Sequence, residues 1–232
     1  MLIATAHGTR SAIGLATVAA IIDEVRRARP ELDVRLAFVD VSEPFLADVV
    51  ATVDGPLVVV PVLLSRGYHV RVDIPQALAD RSDASATAAL GPDRAVSRAL
   101  ADRLDAARAP GVVVAGQVVL VATGSSDPDA AQDLAAAAAD LAAWLNVPVQ
   151  PAVMSGPGVP FAAAIADHET VDVVPYLLAE GVFYDRLRAE AGALGAATVG
   201  RPIGAHPALV ELILARYDWA VALVGEPGRG GR

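Results

Sequence analysis

Cysteine is absent from the 232 residues, which excludes a disulfide scaffold, a thiolate metal site and a cysteine nucleophile. Lysine is absent as well: all 18 basic residues are arginine, so neither a Schiff-base lysine nor a P-loop lysine can operate here. Basic charge is in short supply, and the net charge of −9 argues against a nucleic-acid binder, which needs a basic face. No apolar run reaches the ~18–20 residues that span a bilayer, so no membrane partner is expected. Met1-Leu2-Ile3-Ala4-Thr5-Ala6-His7-Gly8 has no basic stretch and no cleavage site of the kind a signal peptide carries, and the expected location is cytoplasmic. Apolar residues are plentiful, at 54% of the chain, too many for a disordered protein. The length suits one large domain or two small ones.

Short apolar runs alternate with alanine-rich helical stretches, the pattern of an α/β protein with parallel strands. Strands are expected at 1–6, 33–40, 57–63 and 84–90, with helices at 11–29, from Pro44 to about Val53, from about Asp73, and at 94–108. The continuous run Leu57-Val58-Val59-Val60-Pro61-Val62-Leu63 reads as a buried parallel strand. Asp73-Ile74-Pro75 reads as a capping aspartate with a proline in the first helical turn. The order then repeats, with strands at 116–122, 147–154, 171–177 and 197–201 and helices at 128–145, 159–169, from about 182, and at 206–218.

The repetition extends to the residues themselves. Ala6-His7-Gly8-Thr9 parallels Ala122-Thr123-Gly124-Ser125, Pro44-Phe45 parallels Pro160-Phe161, and Gly91-Pro92-Asp93 parallels Gly204-Ala205-His206. The run ending Pro61-Val62-Leu63-Leu64 parallels Pro175-Tyr176-Leu177-Leu178, with Gly67 matching Gly181. The expected organisation is two similar halves, 1–112 and 113–232, each a parallel sheet flanked by helices. The boundary is placed near Ala109-Pro110-Gly111, and the end near 226–232 reads as a disordered tail.

Open parallel sheets bind ligands at the carboxyl ends of their strands. His7 follows the first strand, Asp40 closes the second, and His69 lies in the loop after the third, so three ligands or bases converge on one crevice. In the second half Thr123 stands for His7, Phe183 for His69, and Ser155 or Gly156 for Asp40; the scaffold was kept and the polar trio was not. Either histidine alone also reads as an ordinary loop residue, but the pair at matching strand ends is harder to explain that way. Arg10, Arg66 and Arg71 share loops with the histidines; each also reads as a solvated surface charge, and Arg71 as a partner of Asp73. His206 opens the last long helix, where it reads either as facing the interdomain cleft or as capping the helix. Glu43 and His168 read as structural and solvated, and Asp127, after Gly124-Ser125-Ser126, as a helix cap.

These motifs carry a family resemblance. His7-Gly8-Thr9-Arg10, Phe38-Val39-Asp40 with Glu43-Pro44, and Gly67-Tyr68-His69-Val70-Arg71-Val72-Asp73-Ile74-Pro75 look like class II chelatases of the sirohydrochlorin cobalto-/ferrochelatase family, in its long form with two chelatase-like halves and one functional site. The resemblance implies that His7 and His69 are the metal-site histidines, and that Asp40 stands where the family usually has glutamate. It implies insertion of a divalent metal, Co2+ or Fe2+ with Ni2+ also compatible, into sirohydrochlorin or a related tetrapyrrole, in cobalamin or sirohaem biosynthesis. His7 and His69 would hold the metal and accept protons, Asp40 would orient a histidine, and Arg10, Arg66, Arg71 and His206 would meet substrate carboxylates. The metal is a substrate, no organic cofactor is implied, and one chain of two halves can supply the cleft as a monomer. A metal or tetrapyrrole carrier without turnover fits the same histidines. A histidine-type phosphatase fits less well, because Ala6 stands where that chemistry needs arginine.

Overall fold

Among the described residues, eight parallel strands form two four-stranded sheets, one in each half of the chain. They are seen in a computed structural model that describes residues 1–111, 115–166 and 168–225. The first half runs β1 (Leu2–Ala6), α1 (Ala12–Ala28), β2 (Val34–Phe38), α2 (Leu46–Ala51), β3 (Leu57–Pro61), α3 (Ile74–Ala77), β4 (Ala84–Ala86) and α4 (Arg94–Asp105). The second runs β5 (Val118–Ala122), α5 (Pro128–Leu145), β6 (Val149–Val153), α6 (Phe161–Ala166), β7 (Asp172–Pro175), α7 (Val182–Ala193), β8 (Thr198–Val199) and α8 (Pro207–Gly225). The sheet orders are β2-β1-β3-β4 and β6-β5-β7-β8. The expected fold, two similar halves each with a parallel sheet and flanking helices, is the one observed. The expected boundary between residues 112 and 113, and the expected tail near 226–232, lie outside the described residues.

The internal repeat is structural as well as sequential. Thr5 pairs with Pro61 in one sheet and Val121 with Pro175 in the other. Ser11 caps α1 by accepting from Gly14 N, and Asp127 caps α5 by accepting from Asp129 N. Gly8 (φ +97°) and Gly124 (φ +102°) turn the chain after β1 and β5, and a Cβ on either would fall within 2 Å of the carbonyl oxygen of Asp40 or Ser155. Only glycine fits that combination of backbone angle and close approach. The contact also settles the match for Asp40, which is Ser155 and not Gly156.

Alternating residues divide each sheet between two cores. In the first half Leu2, Ala4, Val58 and Val60 face inward, whereas Ile3, Ala37 and Val59 face an outer core closed by α2 and Ile74. The inner core is continuous with that of the second half, through Val118, Leu120 and Val174. The last helix of each half is exchanged: α4 packs on α5, α8 and β7, and α8 packs on α1, α4 and β3. Leu100 and Leu104 of α4 and Leu209 and Ile213 of α8 are fully buried in that shared core. Burying each such side chain is worth about 1.5–3 kcal/mol, so the halves cannot part without exposing much of the interior. Among the described residues no helix is long and apolar enough to cross a membrane.

Two local expectations need correction. The chain does not enter a helix capped by Asp73. Residues His69–Asp73 form a π-helical turn in which Ile74 N–H reaches back to His69 O, and α3 has only four residues. Asp73 has helical backbone angles (φ −68°, ψ −42°) and makes no cap bond. The second correction concerns α2, which begins at Leu46, because Pro44 O is taken by Phe38 N–H at 2.9 Å and Phe45 bridges to Phe38.

The segment joining the halves is tied down by a buried ion pair. Asp172, at the start of β7, accepts from Arg108 Nη2 at 3.0 Å and from Ala115 N at 3.0 Å, and both side chains are buried. Removing Asp172 leaves the buried Arg108 with only Asp105, which Nη1 also bonds, and leaves Ala115 N without its acceptor. Asp172→Ala is therefore expected to lower the unfolding free energy by about 3 kcal/mol, measured by urea denaturation; a loss under about 1 kcal/mol would mean that Asp105 and water suffice for Arg108.

Candidate active site

In the order β2-β1-β3-β4, the strands leaving β1 and β3 diverge to opposite connections, and a crevice opens beyond their carboxyl ends. His7 is the first residue past β1, and His69 enters from the loop after β3. Their rings stand edge to face with centroids 4.5 Å apart and an interplanar angle of 87°. Both line a cleft of about 430 Å³ between the halves. The first half contributes His7, Leu63–Gly67, His69 and Val70; the second contributes Ala122–Ser125, Pro151–Val153, Pro157–Val159, three residues of α5 (Ala130, Ala131 and Leu134) and Tyr176. The wall is largely apolar, with the imidazoles at one side.

Hydrogen bonds assign the imidazole tautomers. His7 Nδ1 lies 3.2 Å from Gly8 O, and a carbonyl oxygen can only accept, so Nδ1 carries the proton. His69 Nδ1 lies 2.5 Å from Asp73 Oδ2, and the carboxylate accepts there as well. With the proton on Nδ1, Nε2 is the ring atom that can present a free lone pair. The π turn makes the second contact: it brings residues 69 and 73 onto one face, and Pro75, which has no N–H, follows at once. Such wide turns recur at functional sites.

Asp40 is not among the residues that line the cleft. It follows β2, an edge strand on the far side of β1 from β3. Its Oδ1 accepts from Val41 N at 2.7 Å, and it adjoins His7 through the backbone, Asp40 N donating to His7 O at 3.0 Å. The carboxylate that touches a histidine is Asp73, which sequence reasoning had assigned to a helix cap. The spacing of four between His69 and Asp73 was the signal available.

The arginines part company. Arg10 is exposed and forms no ion pair among the described residues. Arg66 lines the cleft but is held by Asp133 of α5. Its backbone N–H donates to Asp133 Oδ2 at 2.6 Å, and Nε and Nη2 donate to Oδ1 at 3.0 and 2.7 Å. Asp133 also raises the guanidinium pKa, through the hydrogen bond first and its charge second. Arg71 does not pair with Asp73. It reaches across to α5, bonding Asp127 through Nη2 and Asp129 through Nη1 at 3.2 Å. Neither Asp133 nor the Asp127–Asp129 pair was singled out as a partner for these arginines, because nothing in a linear sequence places α5 against the β3 loop.

His206 lies away from the cleft, buried against α4. Its Nδ1 accepts from Ala208 N at 3.2 Å, a cap at the start of α8, and its Nε2 meets Asp102 Oδ2 at 3.2 Å. Asp93 caps α4 at the position matched by sequence, accepting from Ala95 N. His168 is exposed. In the second half Thr123 and Tyr176 line the cleft, whereas Phe183 is half-exposed on α7.

The fold and the paired imidazoles define a class: a duplicated α/β protein with two histidines of one half facing a cleft shared by both. The chain belongs to the CbiX family, whose model matches residues 1–107 and again residues 117–220. Among solved structures it resembles SirB from Bacillus subtilis with Fe3+ (TM-score 0.81, 24% identity, 96% of each chain covered). It also resembles sirohydrochlorin chelatase SirB from Bacillus subtilis subspecies spizizenii in complex with cobalt (TM-score 0.76, 24% identity, covering 93% of this chain and 92% of that one). A third likeness is to CbiX, the terminal enzyme for biosynthesis of siroheme in denitrifying bacteria (TM-score 0.72, 20% identity, 94% and 98% covered). At these identities the likenesses establish the fold. No curated protein sequence matches the chain.

Burial, helped by Arg103, pushes the His206 pKa down, against the pull of Asp102. The geometry agrees, because an Nδ1 that accepts from Ala208 N cannot also hold a proton. The unfolded chain therefore takes up this proton first as pH falls, and the stability linked to His206 is present above its ordinary pKa of ~6.5 and lost below it. His206→Asn keeps the cap acceptor. It is expected to flatten the decline in Tm between about pH 7.5 and about pH 5.5, measured by calorimetry.

Proposed function

We propose that the protein inserts a divalent metal ion, Co2+ or Fe2+, into sirohydrochlorin. The observation that carries this reading is the pair of imidazoles, 4.5 Å apart at the wall of an open cleft, in a chain of the CbiX family. Metal insertion removes two pyrrole protons, strips water from the ion and delivers it to the ring nitrogens. A neutral imidazole with a free Nε2 can accept a proton or hold a first-row metal. His7 and His69 take these roles, and the Asp73 carboxylate fixes the His69 ring and favours the tautomer with Nε2 free. Among the described residues no cluster of three or more His, Asp or Glu side chains could hold a metal. Two imidazoles suit an ion in transit, held long enough to be passed on.

Substrate carboxylates need cations that are not already committed. Arg71 is held by Asp127 and Asp129, and His206 by its cap and Asp102. Arg10 is free, and Arg66 keeps Nη1 without a partner among the described residues. These two are the proposed contacts for the periphery of the tetrapyrrole. Arg10→Ala is expected to raise KM for sirohydrochlorin about tenfold while kcat stays within about twofold, the mark of lost ground-state binding. An unchanged KM removes Arg10 from the site.

The deciding experiment follows the absorbance of excess sirohydrochlorin with Co2+, Fe2+ and, separately, Ni2+, at catalytic amounts of protein. An enzyme continues past one equivalent, whereas a carrier stops there. His7→Ala and His69→Ala are each expected to lower kcat by about 10²-fold or more. Insertion that never exceeds the uncatalysed rate with any metal would overturn the reading.

A further inference from the structure

The loop that carries His69 belongs by sequence to the first half, yet its polar anchors belong to the second. Tyr176, buried at the end of β7, donates from its hydroxyl to Leu64 O at 2.7 Å. Two residues on, Arg66 is bound by Asp133 through its backbone N–H and its guanidinium, and Asp133 is itself buried. Beyond His69, Arg71 is bound by Asp127 and Asp129. Residues 64, 66 and 71 are thus fixed to the opposite half, with His69 between them. Room for the first anchor is built in: a Cβ on Gly91 would fall 2.3 Å from both Leu64 O and Tyr176 Oη.

The internal repeat supplies a comparison. The matching loop of the second half runs through Leu178, Glu180 and Gly181, has Phe183 in place of His69, and lies against the start of α1. Counting from the two helix caps, Ser11, Ile13 and Thr17 stand in α1 where Asp127, Asp129 and Asp133 stand in α5, and Val62 stands where Tyr176 does. None of these is charged, Val62 has no hydroxyl, and the hydroxyls of Ser11 and Thr17 are bonded within α1; among the described residues no ion pair joins Glu180 to α1. A clasp needed only for joining the halves would serve equally on both sides of the repeat. It is built only where the histidine is.

We propose that Tyr176 and Asp133 are positioning residues of the second half, holding the His69 loop within reach of His7. This inference rests on the metal-insertion reading for its functional consequence, but not for its structural one. With the anchors in place, the separation of the two imidazoles is set by packing between halves, and His69 is held ready before the metal arrives. Without them, the loop from Ser65 to Tyr68 keeps only local bonds.

Tyr176→Phe removes one hydroxyl from a buried ring and Asp133→Ala removes the carboxylate. Arg29→Ala is the control, because Arg29 joins the halves through Asp218 (2.8 Å) far from the loop. Hydrogen exchange of amides 65–73 is expected to quicken about tenfold in Tyr176→Phe and more in Asp133→Ala, and not in Arg29→Ala. In metal insertion kcat is expected to fall about tenfold in Tyr176→Phe with KM nearly unchanged. Unaltered exchange across residues 65–73 in both variants overturns the inference, whatever the activity. Faster exchange with unaltered kcat overturns the positioning role and leaves a structural anchor. A wild-type protein without insertion activity sinks the functional reading, while the exchange experiment still decides whether the anchors hold the loop.

Discussion

The exchange of α4 and α8 between the halves is the constraint from which the site follows. Each sheet covers its outer face with its own helices, but its inner face is shared between a helix of its own half, α1 or α5, and one from the other half. Leu100, Leu104, Leu209 and Ile213 therefore bury themselves only when both halves are present. The hydrophobic term behind this packing is non-directional, yet the exchange makes it specific: it fixes how the two sheets face each other. The cleft is the space left where the carboxyl ends of β1, β3, β5 and β6 meet, and its dimensions are inherited from that shared core. Short-range bonds then place individual groups within a frame that cannot open far.

Within that frame the electrostatics are economical. A protein of net charge −9 is an unfavourable host for a substrate rich in carboxylates, and the arginines near His69 would be the obvious remedy. Two of them are instead neutralised by aspartates of α5. Partly exposed pairs of this kind contribute little to stability, so their value lies in geometry: Arg66 binds through a backbone N–H as well as its guanidinium, which fixes the main chain and not just a side chain. Asp133, buried and accepting several N–H groups, is the firmest of these contacts. Of the three arginines, Arg10 and the Nη1 edge of Arg66 have no acidic partner among the described residues.

Legibility in the sequence followed the range of the interaction. Strands such as Leu57–Pro61, and the cap Asp127, depend on neighbours within a few residues, and they are where local pattern placed them. The repeat was readable for the same reason. His7 and His69 could be paired because parallel topology sends strand ends to one side, a rule that needs no coordinates. For Asp40 the same rule says which end of the sheet the residue occupies but not which side of β1 it lies on, nor that its carboxylate turns back to Val41 N–H. Asp73 was misread because an aspartate before Ile-Pro suits a helix cap, while the π turn that redirects it depends on tertiary context. Asp133 and Tyr176 were beyond reach altogether: their partners lie 67 and 112 residues away in the chain.

Duplication within a single chain is what permits such asymmetry. In a two-fold dimer of identical subunits every contact across the axis occurs twice, so an aspartate that anchors one loop must anchor both. Here the two copies are joined, and each position is free to differ from its match. Thr17, at the position of Asp133, bonds only Ile13 O of its own helix among the described residues; Val62 fills a core position where Tyr176 crosses to the other half. One half has kept the imidazoles, and the other has kept the fold and taken up the bonds that hold them. The second half is therefore no vestige: removing it would leave the His69 loop without its anchors on α5 and β7, and the inner face of the first sheet without α8, which covers it beside α1.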